Sequence, residues 1–254
     1  MHYYTRSGEK AYTVIGKNGI ERDTNIGDAR KLNLLPSVTT ILAVLDKPQL
    51  NKWSREKVLE AVIEVGDIGD YHGGREEWEK EVWSVYKQKT TVYSTKGSEV
   101  HQKLEGYFKT GELEVEDEEL LLPAIEVVQS LGYNIAEAEP SFASEAGYGG
   151  QIDLILHPDA DEKPVAIIDF KTRQGEKLDK RSIYDSYLMQ ISAYRYAVEP
   201  DADCYNLLIS QTHPGVTYLH KYEEEELERG LQQFLTLLEY WKLVNNYQSE
   251  FTNE

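Results

Sequence analysis

Two short segments of the sequence combine apolar runs with acidic side chains. Asp169 and Lys171 end the apolar segment 165–171, and alternation along a strand places both side chains on one face. Asp153 stands sixteen residues before Asp169, in a second apolar segment that should form a neighbouring strand. Two carboxylates beside a lysine suit a hard divalent cation, Mg²⁺ or Mn²⁺, with a charged group to hold a water or stabilise an oxyanion. For the Asp-x-Lys tripeptide alone, a surface ion pair is the alternative.

Four further polar residues stand where they could join the same site. His101 lies at the edge of an apolar helical stripe, where an imidazole would favour Mn²⁺, although a lone histidine on such a helix is more often structural. Gln190 and Tyr194 are four residues apart, so they share a helix face and interrupt its apolar stripe. Such a pair needs partners, which an active site or a sheet-edge carbonyl would provide. Glu139 precedes a glycine-rich turn in a predicted strand, and could point toward the site or into solvent.

The residue pattern around these positions predicts a mixed α/β core. Apolar residues recur at helical spacing in some segments and form strand-length runs in others. The predicted helices of this core span 97–109 and 182–198, and the predicted strands span 134–145, 151–157, 165–171, 204–210 and 216–222. The order of helix, three strands, helix and strand indicates a mixed central β-sheet flanked by helices.

Further elements are predicted at both ends of this core. A small hairpin region is expected in the first 35 residues, followed by a helix that Ser37 caps and by helices at 50–65 and 75–88. A long helix is expected at the C-terminal end. We therefore divide the chain into an N-terminal hairpin and helical extension (1–94), a core (95–222) and a C-terminal helix that packs on the core (223–254).

Four motifs in order carry a resemblance to a known family. They are Gly97-x-x-x-His101-x-x-x-Glu105, Gly150-x-Ile152-Asp153, Asp169-x-Lys171 and Gln190-x-x-x-Tyr194. This series resembles the PD-(D/E)XK nuclease superfamily, and within it the RecB-type exonuclease branch. The upstream segment Leu35–Leu42 is similar to one found in the mitochondrial genome maintenance exonucleases and their phage and bacterial relatives. The resemblance implies a restriction-endonuclease-like core in residues 95–222.

The resemblance also implies a metal site. Asp153 and Asp169 would be the acidic metal ligands, and His101 would be the helix-borne ligand of the RecB branch. The backbone carbonyl of Phe170 would complete the ligand shell. Glu139 matches a strand glutamate found in many members of the branch, with a less defined role. The implied cofactor is Mg²⁺ or Mn²⁺.

The catalytic roles follow from the same resemblance. Lys171 would position or activate the attacking water, and Gln190 and Tyr194 would support the lysine side of the site and the DNA backbone. Ile152 replaces the proline that gives the superfamily its name, a change that the RecB branch commonly tolerates. Cys204 is the single cysteine, so the iron–sulfur subgroup, an intramolecular disulfide and a four-cysteine zinc site are excluded.

The charge of the chain bears on a DNA substrate. With 27 basic and 45 acidic residues the net charge is −18, which at first argues against a nucleic-acid partner. Two acidic runs, 112–126 and 223–228, contribute −12 of this, whereas the segment from Lys171 to Arg195 carries six basic and three acidic residues. The residues predicted to contact DNA are Ser37, Thr39, Arg173, Lys177 and Arg181.

These patterns predict a metal-dependent DNA exonuclease acting on single-stranded DNA or DNA ends. An endonuclease on the same core, and an inactive DNA- or protein-binding module, are the alternatives. No phosphate-binding loop motif is present, so no nucleotide cofactor is expected. The sequence shows no secretory signal pattern and no apolar stretch near 18 residues, so we expect a cytoplasmic protein without a membrane span. Phage or host recombination and repair proteins are candidate partners.

Overall fold

A mixed α/β arrangement is seen in a computed structural model that describes residues 1–158 and 165–248. In these ranges the helices are α1 (Ile26–Lys31), α2 (Val38–Leu42), α3 (Pro48–Val65), α4 (Gly74–Thr110), α5 (Glu118–Gln129), α6 (Asp185–Val198) and α7 (Glu224–Val244). The strands are β1 (Tyr3–Tyr4), β2 (Thr13–Ile15), β3 (Glu21–Asp23), β4 (Leu35–Pro36), β5 (Ile135–Ala138), β6 (Ser141–Ser144), β7 (Tyr148–Gln151), β8 (Leu154–His157), β9 (Ala166–Arg173), β10 (Asp203–Ser210) and β11 (Thr217–Lys221).

The central sheet has five strands in the order β11-β10-β9-β8-β5. Strands β9 and β10 are parallel and are joined through α6, whereas the other neighbouring pairs are antiparallel. The parallel register sets Asn206 of β10 opposite Asp169 of β9. Residues 166–170 of β9 are all buried, as a strand covered on both faces requires. The sheet confirms the mixed α/β fold that the sequence predicts.

Of the two strands predicted around the glycine turn, the first is divided into β5 and β6, and residues predicted as the turn form most of β7. β5 pairs with β8 in the central sheet, while β6 and β7 pair as a separate two-stranded ribbon. The first break falls at Glu139, whose φ is 55°, followed by a proline that cannot donate to a ladder. Glu139 therefore lies between strands, and its predicted place within a strand is wrong. The second break falls at Ile152 and Asp153, between β7 and β8.

Two glycines in the ribbon allow close approach of neighbouring residues. A Cβ atom at Gly149 would stand 2.8 Å from the Cβ of Tyr4, and one at Gly150 would stand 2.6 Å from the ring of Phe142. Both distances are shorter than real Cβ contacts allow. The glycine run in the second motif is therefore needed for packing beside the site.

Helix α4 is a single helix of 37 residues. The sequence pattern predicts two separate helices, at 75–88 and 97–109. The segment between them contains neither glycine nor proline, and its hydroxyl groups bond back to helix carbonyls. The hydroxyl of Thr90 donates to the carbonyl of Tyr86 at 3.0 Å, and that of Ser94 donates to the carbonyl of Thr91 at 3.0 Å. These hydroxyl groups bond within their own helix and so need no partner outside it.

Helices α6 and α7 pack against each other beside the sheet. Gly230 of α7 brings the two helices close, since a Cβ there would lie 2.5 Å from the Ser192 hydroxyl. The fully buried ring of Phe234 contacts Tyr148, with ring centroids 4.9 Å apart. The Tyr148 hydroxyl in turn donates to the carbonyl of Ala193 at 2.8 Å. The ribbon, α6 and α7 thus share one buried cluster.

Contacts divide the chain into two compact units. One comprises Met1–Val44 and His101–Glu254 and contains the central sheet; the other, Leu45–Val100, is helical. Within the second unit, the hydroxyls of Ser54 and Tyr86 lie 2.7 Å apart. The three-part division at residues 94 and 222 stays a prediction. In the described ranges, none of the helices combines the length and apolar character needed to cross a membrane.

Candidate active site

Strand β9 presents Asp169 and Lys171 on one face, as alternation predicts. The Nζ atom of Lys171 lies 2.6 Å from Oδ2 of Asp169, and the Asp169 side chain is 2% exposed. Phe170, between them, points the other way and contacts the ring of Phe108, with centroids 6.3 Å apart. A charged pair at this depth needs further partners, since burying a charge is unfavourable unless it is paired and hydrogen-bonded.

Helix α6 supplies partners for the lysine. Nζ of Lys171 donates to Oε1 of Gln190 at 3.1 Å, and Nε2 of Gln190 donates to the hydroxyl of Tyr194 at 2.7 Å. Gln190 and Tyr194 are both buried, on the helix face that the i, i+4 spacing predicts. The structure therefore brings this predicted pair to the lysine, Gln190 directly and Tyr194 through Gln190.

Asp153 joins the site through the backbone of β9. Its Oδ2 atom accepts a hydrogen bond from the N–H of Phe170 at 2.7 Å. The same oxygen lies 3.5 Å from Nδ1 of His101 on α4. The His101 ring also packs edge-on against Phe170, with centroids 6.1 Å apart. Asp153 and His101 are thus direct neighbours, beside the strand that carries Asp169 and Lys171.

The electrostatics of the cluster follow from burial and mutual charge. Burial raises the pKa of Asp169 to about 6; the charge of Lys171 lowers it and that of Asp153 adds to the increase. Burial lowers the pKa of Lys171, but the charges of Asp169 and Asp153 outweigh burial and hold it above its ordinary value. At neutral pH, Lys171 is therefore an ammonium beside an ionised Asp169.

His101 and Asp153 shift each other's pKa in the opposite directions that are expected of an ion pair. Burial lowers the pKa of His101, but the hydrogen bond and charge of Asp153 outweigh it and raise the net value. Burial raises the pKa of Asp153, but the contact and charge of His101, with Lys171 and the Phe170 N–H, lower the net value. Asp153 is thereby held as a carboxylate.

Two buried residues that the sequence reasoning missed complete the polar network. Nδ2 of Asn206 donates to Oδ2 of Asp169 at 2.7 Å and to the Asp169 carbonyl at 3.1 Å. The Tyr222 hydroxyl donates to Oδ1 of Asn206 at 2.6 Å. The available signal is an asparagine inside the otherwise apolar segment 204–209, since a buried amide needs hydrogen-bond partners.

The sequence analysis also did not predict that two tyrosines would lie beside the site. Nζ of Lys171 lies 5.0 Å from the ring centre of Tyr187, and the guanidinium of Arg173 lies 3.9 Å from that of Tyr184. The two tyrosine rings are themselves 5.1 Å apart. The predicted DNA-binding residue Arg173 is thus held on the same side of β9 as the lysine.

The side chain of Glu139 contacts residues other than the proposed metal ligands. Its Oε2 atom accepts from Nε2 of Gln151 at 2.8 Å and lies 4.0 Å from Nζ of Lys10. Burial and the nearby charge of Glu105 raise the pKa of Glu139. Only its backbone N–H bonds to the Asp153 carbonyl, at 3.1 Å. Its predicted role as a metal ligand stays a prediction that these side-chain contacts do not support.

The other predicted DNA-binding residues have mixed surroundings. Ser37 is buried, and its hydroxyl accepts from the N–H of Thr40 at 2.9 Å, so it serves as the cap of α2. Thr39 and Lys177 are exposed. Arg181 is exposed but forms a fork with the carboxylate of Asp179 at 2.7 Å. For Ser37, the cap explains the residue without a phosphate contact.

The donor types fit a divalent cation. An imidazole, two carboxylates and a backbone carbonyl are ligands that Mn²⁺ accepts, and Mg²⁺ prefers the oxygens among them. Across residues 1–158 and 165–248, no three His, Cys, Asp or Glu side chains form a group that could hold a metal ion. At Asp169, Lys171 and Asn206 both contact Oδ2. The donor atoms are thus of the types that bind such an ion and lie on neighbouring elements. In the described structure the two carboxylates are paired instead with His101 and Lys171.

Comparison with known proteins identifies the family. A model of the PD-(D/E)XK nuclease superfamily matches residues 125–251, half of the 254-residue chain. The chain therefore belongs to the PD-(D/E)XK nuclease superfamily, as its motifs predict. Nucleases of this superfamily generally use divalent metal ions. No curated protein matches the sequence.

Comparison with solved structures found limited similarity to two exonucleases. A candidate exonuclease from Eubacterium rectale is 14% identical, with 59% of this chain and 68% of that chain covered and a TM-score of 0.40. The alkaline exonuclease LHK-Exo from Laribacter hongkongensis is 14% identical, with 59% and 84% covered and a TM-score of 0.29.

Proposed function

We propose that this protein is a metal-dependent DNA exonuclease that hydrolyses phosphodiester bonds in single-stranded DNA or at DNA ends. The observation that carries the proposal is the convergence of Asp153, Asp169 and Lys171, with the lysine anchored by Gln190. Phosphodiester hydrolysis builds negative charge on the phosphate and leaving oxygens, which cations and a protonated lysine stabilise.

The residues that would hold Mg²⁺ or Mn²⁺ are His101, Asp153, Asp169 and the carbonyl of Phe170. The bound ion would supply Lewis-acid stabilisation of the phosphate and a water made acidic enough to attack near neutral pH. Asp153 is pre-oriented for this role, because the Phe170 N–H holds one of its oxygens at 2.7 Å. His101 faces that same carboxylate from α4.

Lys171 acts in this proposal as an ammonium rather than as a base. Its pKa lies above the ordinary value, so it carries a proton at neutral pH. An ammonium has three N–H groups, and the carboxylate of Asp169 and the amide of Gln190 take two of them. The third can donate to a phosphate oxygen or orient the attacking water.

The DNA backbone would run along the outer end of β9. Arg173 follows Lys171 by two residues on the same face, at a separation of about 6.6 Å for two strand steps. Its guanidinium carbon lies 3.9 Å from the ring centre of Tyr184, and one N–H donates to the carbonyl of Ser182 at 3.4 Å. The remaining N–H groups would contact phosphate oxygens. Lys177 and Thr39 are exposed and available for weaker contacts.

The decisive experiment compares labelled linear strands with a closed circle. The purified chain is incubated with 5′-labelled and 3′-labelled single strands, the matching duplexes and circular single-stranded DNA, each with Mg²⁺, Mn²⁺ or chelator. We expect cation-dependent loss of linear strands and an intact circle. Cutting of the circle would instead identify an endonuclease. No degradation of any substrate with either cation would overturn the proposal.

A matched pair of variants assigns the activity to this site. Asp169→Asn should abolish degradation, because it removes one carboxylate of the proposed cation site. Asp203→Asn is the control, since Asp203 also lies on the central sheet but pairs with Lys221 at 2.7 Å. Retained activity in Asp169→Asn would show that a contaminating nuclease or another site is responsible.

A further inference from the structure

The network behind Asp169 extends to two residues that no motif includes. Asn206 on β10 is fully buried and lies opposite Asp169 in the parallel register. Its amide donates to Oδ2 of Asp169 at 2.7 Å and to the Asp169 carbonyl at 3.1 Å. One side chain thus ties together the carboxylate and the backbone of the same aspartate. That double contact restricts both the position and the rotation of the carboxylate.

Tyr222 determines which way the Asn206 amide faces. An ionised carboxylate only accepts hydrogen bonds, so the NH₂ group of Asn206 must face Asp169. The amide oxygen then faces the Tyr222 hydroxyl, which donates to it at 2.6 Å. Burial, together with the charge of Asp169, raises the pKa of Tyr222, so this hydroxyl keeps its proton. Removing the hydroxyl would leave the amide free to turn.

Two polar contacts of the Asp169 side chain are made by the same oxygen. Oδ2 is 2.6 Å from Nζ of Lys171 and 2.7 Å from Nδ2 of Asn206. The other oxygen, Oδ1, takes part in neither contact. The carboxylate is therefore held through Oδ2 by donors from β9 and β10, and Oδ1 lies outside both contacts.

We propose that Asn206 and Tyr222 are positioning residues that hold the Asp169 carboxylate by Oδ2 so that Oδ1 is presented to the divalent cation. The inference rests on the proposed function, because it assigns Asp169 to a cation site. It goes further by extending the site to β10 and to the residue after β11. Groups in this position orient a ligand without touching the metal and are often worth 10- to 100-fold in metal affinity.

A purely structural role for Asn206 makes a different prediction. In that case its amide would only satisfy the buried carbonyl of Asp169, and its loss would lower the stability of the apo protein alone. A positioning role also lowers the affinity of the folded protein for the cation. Affinity measured on folded protein therefore separates the two roles.

The test uses the full chain and Mn²⁺ alone as the probe. Tyr222→Phe removes one hydroxyl, and Asn206→Leu removes the amide at similar volume. Tyr205→Phe is the matched control, because Tyr205 neighbours Asn206 on β10 but its hydroxyl bonds to Asp203 at 3.2 Å. Thermal unfolding without cation establishes that each variant is folded, calorimetry gives the dissociation constant for Mn²⁺, and cleavage assays separate kcat from KM.

We expect Asn206→Leu to weaken Mn²⁺ binding by about 10-fold or more. Tyr222→Phe should weaken it by a smaller factor, and Tyr205→Phe should leave it unchanged. In cleavage, kcat should fall at limiting Mn²⁺ while KM for DNA stays constant, with recovery at higher Mn²⁺. If Asn206→Leu is unfolded, the Mn²⁺ affinity of Tyr222→Phe is compared with that of Tyr205→Phe instead.

Unchanged Mn²⁺ affinity in folded Tyr222→Phe and Asn206→Leu would overturn the inference while the wild-type nuclease activity stands. A wild-type protein that neither binds Mn²⁺ nor degrades DNA would overturn the proposed function and the inference with it. A loss of affinity equal in Tyr222→Phe and Tyr205→Phe would also overturn the inference, because it would mark a general effect on β10.

Discussion

Lys171 shows how far one side chain depends on its surroundings. An isolated lysine at the end of a strand is a common surface residue, yet here it contacts Asp169 and Gln190 and lies near the ring of Tyr187. These contacts hold its ammonium in one place, and although burial lowers its pKa, the charges of Asp169 and Asp153 keep that pKa above the ordinary value. The residue is therefore suited to stabilising negative charge rather than to removing a proton.

Replacing Lys171 should separate chemistry from cation binding. In Lys171→Ala we expect cleavage to fall by at least 100-fold, about 2.7 kcal/mol of transition-state stabilisation. Mn²⁺ affinity should be retained, since the lysine is not among the residues proposed to hold the cation. Single-turnover assays and calorimetry measure the two effects, with Lys242→Ala as the control. Cleavage at the wild-type rate would refute the assigned role.

Cys204 is the residue for which burial predicts inertness. It is fully buried on β10, and burial raises the pKa of its thiol to about 12. Because the thiolate is the reactive form, native protein at pH 8 should not be labelled by a thiol reagent. Unfolding in denaturant should expose one reactive thiol per chain. Rapid labelling of native protein would contradict the buried position.

At the scale of elements, the packing of α6 against α7 positions Gln190 and Tyr194. The contact depends on Gly230, where a Cβ would lie 2.7 Å from Cγ of Leu188 and 2.5 Å from the Ser192 hydroxyl. Helix α6 is therefore fixed by close contact on one side while its polar pair faces the lysine. A shift of α6 would move Gln190 away from Lys171.

Two glycine substitutions test this contact. Gly230→Ala should destabilise the protein by about 1–2 kcal/mol, because overpacking outweighs the better helix propensity of alanine. Gly106→Ala, in α4 with open space around a Cβ, should instead stabilise it by about 0.5–1 kcal/mol. Denaturant unfolding gives both values. Equal stabilities for the two variants would argue against a tight contact at Gly230.

The sequence predicted correctly those elements that depend on residues close together in the chain. The helix start at Ser37, the strand 165–171 and the polar pair on α6 depend on neighbours within a few residues, and all agree with the sequence pattern. The division of β5 from β6 and of β7 from β8 does not depend on such neighbours, and the sequence pattern did not predict it. There the partners of each strand come from different sheets, which periodicity along one strand does not encode.

At the scale of the whole molecule, a net charge of −18 opposes binding to DNA. Local potential rather than net charge guides a phosphate into a site, and the basic residues follow the strand that carries Lys171. We therefore expect weak, salt-sensitive binding to non-specific duplexes, with firm engagement only where the proposed cation site contributes.

The salt dependence of binding tests whether Arg173 contacts the backbone. In chelator, the slope of log affinity against log salt for a single strand should fall by about 0.7 in Arg173→Ala, the value for one phosphate contact. Lys242→Ala, which removes a lysine paired with Glu239 on α7, should leave the slope unchanged. Fluorescence anisotropy at several salt concentrations gives both slopes. An Arg173→Ala slope equal to that of the wild-type protein would show that Arg173 does not contact the DNA backbone.

The sequence by itself determined the order of the four motifs, the shared face of Asp169 and Lys171, and the family to which the chain belongs. Those features are local, because strand and helix periodicity relate residues only a few positions apart. The tertiary structure alone decided that Asp153 bonds to the Phe170 N–H and that Asn206 faces Asp169. Both contacts depend on strand register between distant segments, which is settled only when the sheet assembles.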